Sequence, residues 1–70
     1  MSNEVAYLIE VKSFADEDDV EWFNAKCEVF AKELGLQRYR KLVVAVNITR
    51  EAVERACELG IDVVCGGVIE

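Results

Sequence analysis

The sequence contains no histidine and no proline, and its three cysteines, Cys27, Cys57 and Cys65, lie far apart. The lack of histidine and of any closely spaced cysteine pair removes the usual ligand sets of a structural zinc site. An odd number of cysteines, each within an apolar run, is typical of reduced, buried thiols and not of a secreted disulfide framework. We therefore expect a cytoplasmic protein without a structural zinc.

Long apolar runs and basic residues are also scarce. No segment approaches the roughly 20 apolar residues of a membrane span, and the N-terminus lacks the basic start of a signal peptide, so we expect neither membrane insertion nor export. The chain has 8 basic and 14 acidic residues and a net charge of −6, which disfavours strong nonspecific binding to nucleic acid. One basic cluster, formed by Arg38, Arg40 and Lys41 around Tyr39, is either a solvated connection or a contact for phosphate, nucleic acid or a partner.

The length and composition predict one domain that spans residues 1–70. The chain is 53% hydrophobic, which is enough for one core, but 70 residues are too few for a second core. Domains of this size bury only about 60% of the surface of the unfolded chain and often recruit a partner subunit. A homo-oligomer or an upstream partner chain is therefore expected.

Residues 5–12 read as a strand, because the odd positions are apolar and the segment is rich in β-branched and aromatic residues. We interpret the odd positions as its covered face, which leaves Leu8, Glu10 and Lys12 on the other face. A helix follows, with a capping box predicted at Asp18 and Glu21 and an end at Gly35. Its predicted inner face comprises Val20, Phe23, Cys27, Phe30, Ala31 and Leu34, and a second apolar row comprises Trp22, Ala25 and Val29.

Residues 41–48 are apolar at odd and even positions alike, which is typical of a strand buried on both faces of a parallel sheet. Thr49 is a predicted N-cap for a second helix that ends near Gly60. The inner face of that helix is predicted to be Ala52, Val53, Ala56, Cys57 and Leu59. Residues 62–69 form a last strand, in which Gly66 and Gly67 mark a bulge, a bend or a close backbone approach.

These elements predict a small α/β domain of order β-α-β-α-β, in two or three layers, around a mainly parallel three-stranded sheet. With the doubly apolar strand in the centre, the order is 1-2-3 and right-handed crossovers place both helices on one side. The other sheet face, predicted to hold Leu8 and half of the Leu42 to Val46 run, is then bare. Either a twin subunit or a further segment covers it. The alternative order 2-1-3 places one helix on each face.

The stretch Ile9-Glu10-Val11-Lys12-Ser13, at the end of an apolar strand and before an amphipathic helix, resembles the second half of the PD-(D/E)XK nuclease signature. The likeness extends to the strand and helix order through most of the chain. It implies a divalent-metal nuclease site in which Glu10 binds the metal and Lys12 orients water or stabilises charge at the phosphate. Carboxylate oxygens suit Mg²⁺, and an adjacent ammonium offsets developing negative charge.

The first acid of that signature, an aspartate from a preceding hairpin, has no counterpart here. Glu4 shares the face of Glu10 but lies about 20 Å away along a strand. We therefore expect Mg²⁺ to bind weakly at most, and we predict a PD-(D/E)XK-like domain or remnant without nuclease activity as an isolated chain. The alternative is a noncatalytic, homo-oligomeric protein-interaction module.

Overall fold

The computed structural model describes residues 5–70, which form three strands and two helices in alternation. The elements are β1 (Ala6–Ala15), α1 (Glu17–Leu34), β2 (Tyr39–Thr49), α2 (Arg50–Glu58) and β3 (Ile61–Ile69). The strands form one parallel sheet in the order β1-β2-β3. The predicted fold class and strand order are confirmed, and the order 2-1-3 is excluded.

Both helices cover the same face of the sheet. α1 packs on β1 and β2, α2 packs on β2 and β3, and the two helices contact each other. The core between the layers is made largely of small residues: of the eleven buried residues in the described part of the chain, five are alanines. The largest side chains that are fully buried are Ile48, Val20 and Val43, with Cys27 beside them. Alanines in this layer let the helices approach the sheet closely, but they bury little apolar area.

The helix ends follow from local side-chain chemistry, and one of them differs from the prediction. Asp16, and not Asp18, is the N-cap of α1: its carboxylate accepts the backbone N–H of Asp19, and the Asp19 carboxylate accepts the backbone N–H of Asp16. The capping box predicted at Asp18 and Glu21 is therefore wrong by two residues. Several acids in a row satisfy the spacing rule equally well, and the end of β1 at Ala15 selects Asp16.

The other predicted helix ends are confirmed. Gly35 takes the left-handed conformation, with φ of 65°, at the end of α1. The hydroxyl of Thr49 accepts the backbone N–H of Ala52 at the start of α2.

Gly66 marks a close backbone approach, because a Cβ atom placed there would lie 2.9 Å from the carbonyl oxygen of Val46.

Three predicted burial patterns are wrong. The odd positions of β1 face away from the helices, and Leu8 packs against the core beside α1. Cys57 and Cys65 are exposed, and only Cys27 is buried, where burial raises the pKa of its thiol. Phe30 and Leu34 of the predicted inner face are also exposed. The apolar periodicity predicts the helix correctly, but the apolar face of α1 is wider than the sheet beneath it can cover.

Candidate functional site

Glu10 and Lys12 lie on the helix-facing side of β1, and each forms an ion pair with α1. Lys26 Nζ donates to Glu10 Oε1 at 3.0 Å, and Lys12 Nζ donates to Asp19 Oδ1 at 3.0 Å. All four side chains are roughly one-third exposed. The two residues of the predicted catalytic pair therefore stay side by side on the strand, and each has its own partner on the helix.

The partners on α1 match the strand because the helix runs antiparallel to β1. Asp19 and Lys26 are seven residues apart and so share one face of the helix, while Glu10 and Lys12 share one face of the strand. The hydrogen bond from the backbone of Asp16, followed by that from Lys12, lowers the pKa of Asp19. The same contact with Asp19 raises the pKa of Lys12. The four charged residues are present in the sequence, but their spacing alone does not predict the pairs, because the pairing depends on the direction in which α1 runs along β1.

Glu10 is the predicted metal ligand, and its carboxylate is engaged by the Lys26 ammonium. Within residues 5–70, no group of three acid, cysteine or histidine side chains is arranged to hold a metal ion. Glu4, the other acid considered for this site, lies outside the described residues. The catalytic roles of Glu10 and Lys12 therefore stay a prediction, and the contacts observed for both residues join β1 to α1.

The basic cluster is divided between the two faces of the sheet. Lys41 points to the helix layer, where its Nζ donates to Asn24 Oδ1 at 2.7 Å and to the Leu59 carbonyl at 2.8 Å. Arg40 points to the opposite face and lies 3.7 Å from Asp62. Arg38 is exposed just before β2. The alternation of a strand thus separates Lys41 from Arg40, which pairs with Asp62, and leaves Arg38 and Arg40 at the amino end of the sheet.

The face of the sheet turned away from the helices, here called the open face, carries most of its apolar side chains without cover from the described residues. Tyr7, Ile9 and Val11 of β1 are more than half exposed, as are Val46 of β2 and Val64 of β3. Leu42 and Val44 lie between them and are half-buried. The topology predicts a bare face correctly, but the prediction that the odd positions of β1 are covered is wrong, since these residues lie on the open face.

Two of the grooves on the described surface flank α1. One of about 190 Å³ lies between α1 and the edge of β1, beside Glu10, Lys26 and Phe30, and is smaller than most ligand pockets. Another of about 580 Å³ lies between α1 and the start of β2, beside Val29 and Tyr39. Its charged side chains, Glu28 and Lys32, are surface residues at helical i,i+4 spacing.

Comparison of the chain with protein-family models, curated proteins and solved structures gives no match. Neither α1 nor α2 has the length and apolar content that a membrane-crossing helix requires. The function is therefore inferred from the burial, charge and apolar surface of the described residues.

Proposed function

We propose that this chain is a noncatalytic, self-associating protein-interaction module, in which two copies pack together through the open face. The observation that supports this is the apolar open face of an all-parallel sheet. Parallel sheets occur almost only where both faces are covered, and here the two helices cover one face. A second copy supplies the missing layer.

The composition of the core supports the need for a further layer. Among residues 5–70, twelve large hydrophobic side chains are exposed, whereas the eleven buried residues are mostly small. Burial of apolar surface stabilises a fold by about 25 cal/mol per Å². The single chain does not gain this stabilisation from its open face. Covering that face would convert a thin core on one side of the sheet into cores on both sides.

The charge distribution favours a second copy as the occupant. The chain carries a net charge of −6, so two copies repel each other wherever acidic surface meets acidic surface. Among the described residues of the open face, the charged side chains are Arg40 and Asp62, which form a pair and cancel. Two like-charged copies can therefore approach through this face without bringing net negative charge together.

The size of the face sets the expected affinity. Three strands about 4.8 Å apart and seven residues at about 3.3 Å each give a patch of about 14 by 23 Å. Two such faces measure about 640 Å² together, which is at the low end of protein–protein interfaces and typical of weak, transient association. Self-association is therefore expected to depend on concentration in the micromolar range.

The self-association is tested by sedimentation equilibrium from low to high micromolar concentration. Val44→Lys places a charge at the centre of the open face and should weaken association at least about tenfold. Val11→Lys makes the same change at an edge position where the side chain is 72% exposed, in case Val44→Lys disturbs folding. Val29→Lys on the outer side of α1 is the matched control and should associate like the wild type. A wild type that stays monomeric throughout would overturn the proposal, as would unchanged association of both face variants.

The strand that carries Glu10 and Lys12 resembles that of PD-(D/E)XK nucleases, and we propose that this domain has no nuclease activity of its own. The Lys26 ammonium on the Glu10 carboxylate supports it, since a cation already occupies the position of a metal. The free thiols of Cys27, Cys57 and Cys65 fit a reducing compartment, and we propose the cytoplasm.

A further inference from the structure

The open face is uneven in height across the sheet, and β1 is its high edge. β1 places four large, exposed side chains on this face: Tyr7, Ile9, Val11 and Phe14. Phe14 is included because the alternation of the strand shifts by one residue near Ser13, so that Lys12 and Ala15 both face the helices. The strand pairing skips Ser13 at this point.

β3, at the other edge, is low over the same stretch. The strand pairing places Gly67 at the level of Phe14, with Asn47 of β2 between them. Gly66, just before it, also lacks a side chain. At the levels of Ile9 and Val11, β3 carries Asp62 and Val64, which are no larger than their counterparts. The open face therefore slopes from a high β1 to a low β3.

Two aligned orientations are available to a pair of copies that meet through this face. Aligned sheets keep their strands within about 30° of each other. If the twofold axis runs along β2, the strands of the two copies point the same way and β1 lies over β3 of the second copy. If the axis crosses the strands, they point in opposite directions and β1 lies over β1.

We infer that the axis runs along β2, so that the large side chains of β1 in each copy pack over the glycine-containing β3 of the other. This inference rests on the proposed function and adds which strand meets which. Close-packed layers need large residues opposite small ones. Phe14 then lies over Gly67 of the second copy, and the symmetry repeats this contact at the other flank. The reverse orientation stacks large side chains on large ones along β1 and leaves a gap between the two β3 strands.

Asn47 supports the same orientation independently. It is exposed and faces away from the helices, because Ala45 and Ile48 on either side of it are both buried. A polar amide that becomes buried needs a hydrogen-bond partner. With the axis along β2, Asn47 meets Asn47 of the second copy, and two side-chain amides can each donate to the other. A single buried asparagine fixes the register of coiled coils in a similar way.

The charged residues of the sheet are compatible with this orientation. The Arg40–Asp62 pairs of both copies come to the same end of the dimer, and each pair carries no net charge. The acids that begin α1 and α2 lie in the helix layer, on the side of the sheet away from the second copy. Side-chain size and the Asn47 amide therefore decide the orientation.

The first test asks which strand lies over β1. Val11→Lys and Val64→Glu should each associate at least about tenfold more weakly than the wild type, because each buries a charge without a partner. An equimolar mixture of the two should associate at least about tenfold more tightly than either variant alone, since position 11 of one copy lies over position 64 of the other and the new charges pair. Sedimentation equilibrium measures all samples, and circular dichroism confirms that each variant is folded.

The matched control is a mixture of Val11→Lys with Val11→Glu. It contains the same two new charges, but the axis along β2 places the two positions on opposite flanks of the dimer, so association should stay weak. Restoration by this mixture in place of the Val11→Lys and Val64→Glu mixture would show the reverse orientation and overturn the inference. Restoration by neither mixture, in a protein whose wild type associates, would overturn it as well.

The second test asks whether position 47 meets itself. Asn47→Asp should associate at least about tenfold more weakly than Val29→Asp, which adds the same charge on the outer side of α1, because two carboxylates then face each other. Mixing Asn47→Asp with Asn47→Lys should restore association. Association of Asn47→Asp as tight as that of Val29→Asp would contradict the orientation. A wild type that never associates would instead contradict the proposed function itself.

Discussion

The Asp19 carboxylate holds Lys12 with one oxygen, at 3.0 Å, and closes the α1 capping box with the other. One side chain thus begins the helix and fixes it to β1, the edge strand on that side. Glu10 and Lys26 repeat the connection further along the strand. Charged residues that point inward on an edge strand also discourage pairing with strands of other molecules, which directs association to the open face.

Removal of the Asp19 charge should destabilise the domain measurably. Asp19→Asn weakens both the contact with Lys12 and the reciprocal cap with Asp16, and we expect a loss of about 1 kcal/mol in the free energy of unfolding. Asp18→Asn is the matched control in the same helical turn, and its loss should be smaller because Asp18 is exposed and outside the capping box. Urea unfolding at one fixed protein concentration measures both variants. Equal losses would show that Asp19 has no role beyond its position near the helix dipole.

The contribution of Asp19 should depend on pH. Its pKa lies below the ordinary value of 3.8, chiefly because its carboxylate accepts the backbone N–H of Asp16 and then because it accepts Lys12. A lowered pKa in the folded state means that this stabilisation is complete above about pH 4 and is lost as the pH falls through the folded pKa. The difference in unfolding free energy between wild type and Asp19→Asn should therefore shrink in acid. A difference that stays constant down to about pH 2 would contradict this linkage.

Mg²⁺ should bind only weakly. Glu10 offers one carboxylate, which already accepts Lys26 Nζ, and Mg²⁺ sites usually need more than one anionic ligand. Calorimetric titration should show no micromolar binding in the wild type. Lys26→Met removes the competing ammonium and should raise the affinity slightly at most. Micromolar binding that disappears in Glu10→Gln would reveal a further ligand, such as one from a second copy.

The two glycines of β3 should respond differently to substitution. A Cβ at position 66 would lie 2.9 Å from the backbone oxygen of Val46, whereas at position 67 it would lie 3.2 Å from the side-chain oxygen of Asn47. Gly66→Ala must displace backbone and should cost about 1–3 kcal/mol. Gly67→Ala requires only that an exposed side chain move and should cost less. Thermal unfolding of the two variants gives the comparison, and a neutral Gly66→Ala would mean that β2 and β3 separate there at no cost.

Much of the fold could be predicted from local patterns. The doubly apolar run from Leu42 to Val46 identified the central strand, and Thr49 and Gly35 marked helix ends through interactions that involve only neighbouring residues. Once β2 was central, the handedness of crossovers placed both helices on one side. The bare sheet face follows from this strand order and handedness alone.

Tertiary structure decided which side chains occupy that face and what the charged residues do. β1 is apolar at its odd positions and also at Leu8, so periodicity alone does not show which side meets the helices. The packing of α1 places Leu8, Glu10 and Lys12 inward, because Asp19 and Lys26 are there to pair with the two charges. Cys57 and Cys65 have apolar neighbours in the sequence, but both are exposed, because the packing of α2 buries Ala52 and Ala56 and not Cys57. The sequence by itself determined the elements and their order, since these depend on short-range periodicity and caps; only the packed structure determined the faces, which depend on contacts between distant residues.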